Sequence, residues 1–250
     1  MTLQIEVPSD LSYNEYKIKK SNGKYRTITE PNPELKRIQK DILLEMGKVS
    51  PHNSAHGFVK NRSIATNASI HVGKEFVLNI DIKNFFPSVD AKMVSEVFKR
   101  HYGVEDTGDL LQVVMLNGGL PQGSPCSPYI ANMALYQFDE ELSDYFSSLN
   151  ISYSRYADDI TVSGSNFDNS IIDYIYEKIE SMGFLVSKDK TKLQKRSGRQ
   201  VVTGLVVNDK VNIDRKTRRR IRAMYHNYDT LCERERDYLS GMKGLSSMIR

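Results

Sequence analysis

Polar and apolar positions alternate at the two-residue period of a β-strand from Tyr13 to Pro31, broken by Ser21-Asn22-Gly23. Asn-Gly between alternating runs predicts a tight hairpin. Pro33 then opens a helical stripe of Leu35, Ile38, Ile42, Leu43 and Met46, assigned to packing. A loop from His56 to Ser63 leads into a short helix from Ile64 to His71. Phe76 to Ile80 reads as a buried strand with Asp81 at its carboxyl end. Asp90 is a natural N-cap for a helix through Val94, Val97 and Phe98. Leu110 to Leu116 is apolar and predicted helical, and Ser127-Pro128 predicts the start of a helix through Ile130, Met133, Leu135 and Phe138. Ile151 to Ser163 reads as a hairpin with Asp158 and Asp159 at its turn, and Ser170 to Met182 as an amphipathic helix. Gly183 to Leu193 predicts a turn and strand. Arg199–Val207 and Val211–Ile213 predict another hairpin across Asn208-Asp209-Lys210. Asp214 caps a last helix, whose Ile221, Met224, Tyr225, Tyr228 and Leu231 share one packed face.

Composition narrows the class. A length of 250 residues suits one compact domain with subdomains or two small ones, and 39% hydrophobic with 26% charged residues is ordinary for a globular protein. The formal charge of +4 is unevenly placed, with eleven Lys/Arg against six Asp/Glu from Leu205 to Arg250. A basic end on a near-neutral body points to a polyanionic partner, or to a solvated helix face. Two cysteines, Cys126 and Cys232, make neither a disulfide framework nor a metal cluster. No apolar run reaches the roughly eighteen residues of a membrane span, and the N-terminus lacks the order of a signal peptide, so a cytoplasmic location is expected.

Candidate chemistry gathers at three places. Adjacent Asp158 and Asp159 repel one another and call for a counter-charge, which hard Mg²⁺ can supply. Asp81 emerges from an apolar strand at the end where α/β sheets place ligands. Leu120-Pro-Gln-Gly-Ser-Pro-Cys-Ser-Pro128 is a rigid loop, where Gly123 lets backbone approach a flat ligand. Phosphoryl transfer with two metal ions needs carboxylates from separate elements around cations roughly 4 Å apart, and Asp81, Asp158 and Asp159 can form that cage. His71 has no partner at metal-ligand spacing and is expected to be structural.

These motifs, in this order, resemble the reverse transcriptases. The resemblance covers residues 15 to 245 and implies an α+β right-hand polymerase fold. Fingers and an antiparallel palm would interleave over residues 1–200, with a palm-end hairpin and a short basic helical thumb over 201–250. It implies RNA-directed DNA synthesis by a nucleotidyltransferase with two Mg²⁺ ions, Mn²⁺ being a substitute. Asp81, Asp158, Asp159 and the Ile82 backbone carbonyl would hold the metal. Lys20, Arg26, Arg62, Phe86, Gln122, Gly123 and Lys190 would contact the dNTP, with Phe86 screening the sugar 2′-OH and Lys190 a candidate general acid. Asn67-Ala-Ser-Ile-His71 and Val202-Thr-Gly204 look like signatures of bacterial retron reverse transcriptases. That similarity implies nucleic-acid contacts at Asn67, His71, Thr203, Gly204, Arg215, Arg218, Arg219 and Arg222. It further implies a structured non-coding RNA as template and primer with its DNA product, priming from an internal 2′-OH, an anti-phage role with an effector protein, and no membrane. Other readings are a defence-associated or group II-like reverse transcriptase, and an RNA-binding scaffold that needs no synthesis.

Overall fold

The alternating run near the start forms an antiparallel ribbon of β1 (Tyr13–Lys19) and β2 (Tyr25–Pro31), with Tyr13 opposite Pro31 and Lys19 opposite Tyr25. The computed structural model describes residues 5–19, 23 and 25–249, so Lys20 and most of the Ser21-Asn22-Gly23 turn lie outside the described residues. Asn32 caps α1 (Pro33–Met46) by accepting from the Leu35 amide, and Pro33 sits in the first turn, where its missing N–H is no loss. Ser63 caps α2 (Ile64–Ser69). Then come β3 (Phe76–Lys83), α3 (Phe85–Ser88), α4 (Ala91–Tyr102), α5 (Gly108–Val114), α6 (Ser127–Ala134) and α7 (Tyr136–Ser148). After these the order is β4 (Ser152–Tyr156), β5 (Asp159–Gly164), α8 (Ser170–Ser181), β6 (Leu185–Val186), β7 (Lys192–Lys195), β8 (Val201–Val202), β9 (Leu205–Val206), α9 (Arg215–His226) and α10 (Glu233–Met248).

β3 is the axis of the main sheet, which runs β4-β5-β3-β6 with β7 also paired to β3, all antiparallel. Its side chains alternate between faces. Phe76, Leu78, Ile80 and Ile82 enter the main core with Phe98, Leu142, Phe146 and Ile175. Burial of each such side chain contributes about 1.5–3 kcal/mol. Val77 points the other way, into a second cluster with Ala65, Ala68, Val202, Leu205, Val207 and Ile213. Asn79, Asp81 and Lys83 follow it on that face. The second cluster gives residues on both sides of position 200 a shared core.

Four elements differ from expectation. β3 runs two residues past Asp81, because Ile82 and Lys83 find partners in Val186 and Leu185 of β6. The helix expected through Phe138 breaks at Leu135, and α7 starts afresh at Tyr136. The last hairpin turns at Thr203-Gly204, with φ of +46° and +83°, and Val206 meets Asn212 only in an isolated bridge. Finally, α9 stops at His226, and the chain turns back through Tyr228–Thr230 into α10. Tyr225 and Tyr228, expected on the packed face, are exposed. Arg220 of α9 lies 4.8 Å from the Tyr238 ring of α10, and the Arg236 guanidinium of α10 lies 5.2 Å from Tyr228 in the turn between them, so cation–π contacts tie α10 to both.

Candidate active site

Asp81 of β3 stands directly opposite Asp159 of β5, and Tyr156 pairs with Asp159 to close the β4–β5 hairpin around Ala157-Asp158. Opposed residues in an antiparallel pair have Cβ atoms about 4.5–5.5 Å apart and share a face, so two of the three carboxylates are brought together by register alone. The Ile82 amide donates to the Asp158 carbonyl at 3.0 Å, which draws the turn against β3 and aims the Ile82 backbone at it. A two-residue turn of this kind needs left-handed backbone, and Ala157 supplies it at φ +56°. For a residue with a Cβ that conformation costs about 1–2 kcal/mol, so something must hold it.

What holds it lies beneath the sheet. Arg155 occupies an inward position of β4 and is fully buried, as is Asp139 on α7. The guanidinium donates to Asp139 Oδ1 at 2.8 Å and Oδ2 at 2.6 Å, a two-pronged pair, and Tyr153 donates to Oδ1 at 2.6 Å. Its remaining arm donates to the Ala157 carbonyl at 2.9 Å and to Asn132 Oδ1 at 3.0 Å. Burial works against the Arg155 charge, but Asp139 outweighs it and holds the guanidinium above its ordinary pKa. Burial, then the Asp139 charge, raises the Tyr153 phenol far above its usual range. Sequence reasoning missed this network, although a signal exists. Arg155 interrupts the inward alternation of Tyr153, Ile160 and Val162, and Asp139 falls at helical spacing among Leu135, Leu142 and Phe146.

The exposed face is crowded with acid. Burial and the Asp81 charge raise the Asp158 pKa, while Lys190 and Arg26 oppose the rise. Partial burial, then the charges of Asp158 and Asp81, pushes Asp159 up to about 6, even though part of its side chain reaches solvent. Lys190, at the end of a 3-10 turn over Lys188–Lys190, places Nζ 2.6 Å from Asp81 Oδ1. Burial alone would lower this ammonium's pKa, but the Asp81 carboxylate prevails and raises it. Among the described residues no three acidic, histidine or cysteine side chains close into a metal-binding cluster. Asp81 acts on both Asp158 and Asp159, so the three carboxylates face one open site. Open carboxylates that destabilise one another still fit Mg²⁺, which is usually held by one or two carboxylates, waters and substrate phosphates.

The other expected contacts divide. Arg26 shares a ribbon face with Ile28, and its charge reaches Asp158. Phe86 is half-buried in α3, its ring 5.4 Å from that of buried Phe85. Gly123 does sit at a close backbone approach, but the partner is β2. A Cβ there would stand 2.4 Å from the Thr29 carbonyl oxygen, and the Thr29 amide donates to the Gln122 carbonyl at 2.8 Å. The β1–β2 ribbon thus locks the proline-rich loop in place. Arg62 staples its own loop, one arm donating to the carbonyls of His52, Asn53 and Ala55 at 2.6–3.0 Å.

Two nucleic-acid contacts are corrected outright. Asn67 and His71 are fully buried and cannot meet a ligand. The His71 ring bridges Ser163 and Ser154 at 2.7 Å each, tying α2's end to both strands of the Asp-Asp hairpin. Burial, then the charges of His56 and Lys74, pushes its pKa down to about 3. Gly204 serves turn geometry, since a Cβ there would meet nothing within 4 Å, and Thr203 Oγ1 donates to the Ile64 carbonyl at 3.1 Å. Arg215, Arg218, Arg219 and Arg222 line the exposed part of α9. No helix among the described residues is long and apolar enough to cross a membrane.

Known proteins resemble this chain in sequence and in fold. Residues 18–221 match the family described as Reverse transcriptase (RNA-dependent DNA polymerase). The chain is 34% identical to the retron Mx162 reverse transcriptase of Myxococcus xanthus over 98% of its own length, and spans 58% of that relative. It is 35% identical to the retron Ec86 reverse transcriptase of Escherichia coli, covering 87% of this chain and 70% of the relative. Two solved structures share the fold at low identity. Telomerase from Candida albicans in complex with a fragment of telomeric RNA has a TM-score of 0.58 at 13% identity, over 90% of this chain and 52% of that one. A foamy viral protease-reverse transcriptase in complex with double-stranded DNA has 0.55 at 17%, over 97% and 37%. A palm sheet that pairs Asp81 with Asp159, in a sequence 34–35% identical to these retron enzymes, has one explanation: the chain belongs to the reverse transcriptase family, and within it to the retron type.

Proposed function

We propose that this protein is an RNA-directed DNA polymerase that extends a primer with dNTPs. The observation that carries the reading is the register placing Asp81 opposite Asp159 beside the Asp158 turn. Divalent cations, Mg²⁺ by the chemistry of the donors, would polarise the primer hydroxyl and neutralise the leaving pyrophosphate when bound. Asp81, Asp158 and Asp159 would hold them, with the Ile82 carbonyl as a backbone donor. Arg26 and Lys190 bring positive charge to the mouth of the site, where a triphosphate carries its negative charge. Lys190, kept protonated by Asp81, is the group able to give a proton to departing pyrophosphate. Phe86 would crowd a ribose 2′-OH, as the family resemblance implies, and the Gln122-Gly123 backbone, locked by β2, would fix the depth of the pocket.

We further propose that the template and primer are one structured non-coding RNA, held along the arginine face of α9, with priming from an internal 2′-OH and a role in anti-phage defence beside an effector protein. Similarity to retron enzymes supports this. Primer extension on an RNA template with Mg²⁺ tests the core of the proposal. Wild type should extend, whereas Asp81→Asn and the pair Asp158→Ala with Asp159→Ala should not. Extension by either variant would overturn it. Sequencing the RNA and DNA that co-purify with the protein tests the template.

A further inference from the structure

We propose that Phe58 is a positioning residue that holds the Phe86 ring against the nucleotide pocket and thereby sets discrimination between deoxyribo- and ribonucleotides. The inference rests on the polymerase reading and on the screening role of Phe86. Phe58 combines two unfavourable features. It is a bulky aromatic at φ +60°, and 55% of its surface is exposed. Side chains of this kind rarely adopt left-handed backbone, and such outliers persist only where the surroundings over-determine them.

The surroundings do so here. The His56 amide donates to the Arg155 carbonyl at 2.7 Å and the Arg155 amide to the Ser54 carbonyl at 2.8 Å, so the loop adds to the edge of β4. Asn132, itself bound by Arg155, donates to the Gly57 carbonyl at 2.8 Å. Gly57 lies so close to the catalytic turn that a Cβ there would stand 2.7 Å from the Ala157 amide nitrogen. Arg62 gathers the carbonyls on the far side of the loop. The Phe58 ring therefore rides on the backbone that presents Asp158.

From that mount Phe58 meets Phe86 edge-on, at 6.3 Å and 68°, and Tyr156 at 6.4 Å and 41°. Phe85 already braces Phe86 from the core side, at 5.4 Å, and Phe184 backs Phe85 at 5.8 Å. Phe58 is the aromatic brace on the exposed side. Taking it away leaves the Phe86 ring free to swing on its short helix. Edge-to-face aromatic pairs have coupling worth about three- to tenfold in an equilibrium, which sets the expected loss of discrimination.

The experiment compares wild type, Phe58→Ala, Phe58→Tyr, Phe86→Ala and the Phe58→Ala/Phe86→Ala pair, each checked for folding by circular dichroism. The ratio of kcat/KM for dNTP over rNTP is measured on a primed RNA template. Phe58→Ala should lower the ratio about three- to tenfold, Phe58→Tyr should keep it, and Phe58→Ala should add nothing in the Phe86→Ala background. An unchanged ratio in Phe58→Ala, or additive effects in the pair, would overturn the proposal. A second measurement needs no activity: 4-fluorophenylalanine placed at position 86 reports its ring by ¹⁹F NMR. Phe58→Ala should shift or broaden that signal and Phe58→Tyr should not; an unmoved signal in Phe58→Ala also overturns the proposal. If no variant or wild type extends a primer, the polymerase reading falls, and the fluorine signal still decides whether Phe58 positions Phe86.

Discussion

Asp139→Ala removes one half of an ion pair that sees no water. Asp139 accepts three hydrogen bonds, two from Arg155 and one from Tyr153, and both Asp139 and Arg155 have 0% of their side-chain surface exposed. After truncation the guanidinium stays buried with only Asn132 and the Ala157 carbonyl to receive it. Breaking such a pair from one side costs about 3–5 kcal/mol, because an uncompensated charge remains. Against a total stability of about 5–15 kcal/mol, that is a large fraction. At about 2–4 °C per kcal/mol for a chain of this size, Tm should fall by roughly 6–20 °C. Urea unfolding followed by circular dichroism checks the free energy directly. A loss below about 1 kcal/mol would refute the reasoning, since only a hydrated or repartnered guanidinium could be so cheap. The apolar pair Asp139→Leu with Arg155→Met separates stability from geometry. It should recover much of the lost stability, as buried ion pairs often tolerate apolar replacement. Primer extension should stay impaired in it, because the Ala157 carbonyl and Asn132 lose the donor that sets the turn.

Acid sensitivity should trace to buried imidazole. The folded pKa of His71 is down to about 3 from an ordinary 6.5, so below pH 6.5 the unfolded chain takes up a proton that the folded one refuses. Stability then falls as pH drops, by about 2 kcal/mol between pH 7 and pH 5. His56, lowered to about 4 by burial and then Arg62, adds in the same direction. His71→Gln should be less stable at pH 7 yet flatter across that window, and an unaltered slope in urea titrations would count against the assignment. Gly57→Ala should push the loop off the Ala157 amide and cut extension at least tenfold, read by primer extension with circular dichroism unchanged. Gly204→Ala, at φ +83° with open space around it, should cost only the backbone term of about 1–2 kcal/mol and leave primer extension intact. Replacing Arg218, Arg219 and Arg220 with Ala should weaken RNA binding and flatten its dependence on salt, measured by filter binding.

Local chemistry made much of the architecture legible in advance. Period-two alternation marked β1, β2, β4 and β5, and caps at Asp90 and Asp214 marked the starts of α4 and α9, because these signals act over a few residues and need no partner. Turn chemistry was less decisive. Asn208-Asp209-Lys210 looked like the hairpin turn, and Thr203-Gly204 took that role once Val202 and Leu205 packed against α2. The helix expected through Leu231 ends at His226, and Tyr228 and Tyr238 meet arginines around the α9–α10 turn rather than a core.

The three aspartates, their spacing and their order were set by the sequence by itself, and so was the family they indicate. Only the tertiary structure decided how they are presented. Register put Asp159 opposite Asp81, a pairing between residues far apart along the chain that no local pattern specifies. It also set Arg62 and His71 to holding loops and strands and buried Asn67, because a polar side chain's role depends on what surrounds it. The same donors that could clamp phosphate in water become structural staples once backbone carbonyls and serine hydroxyls close around them.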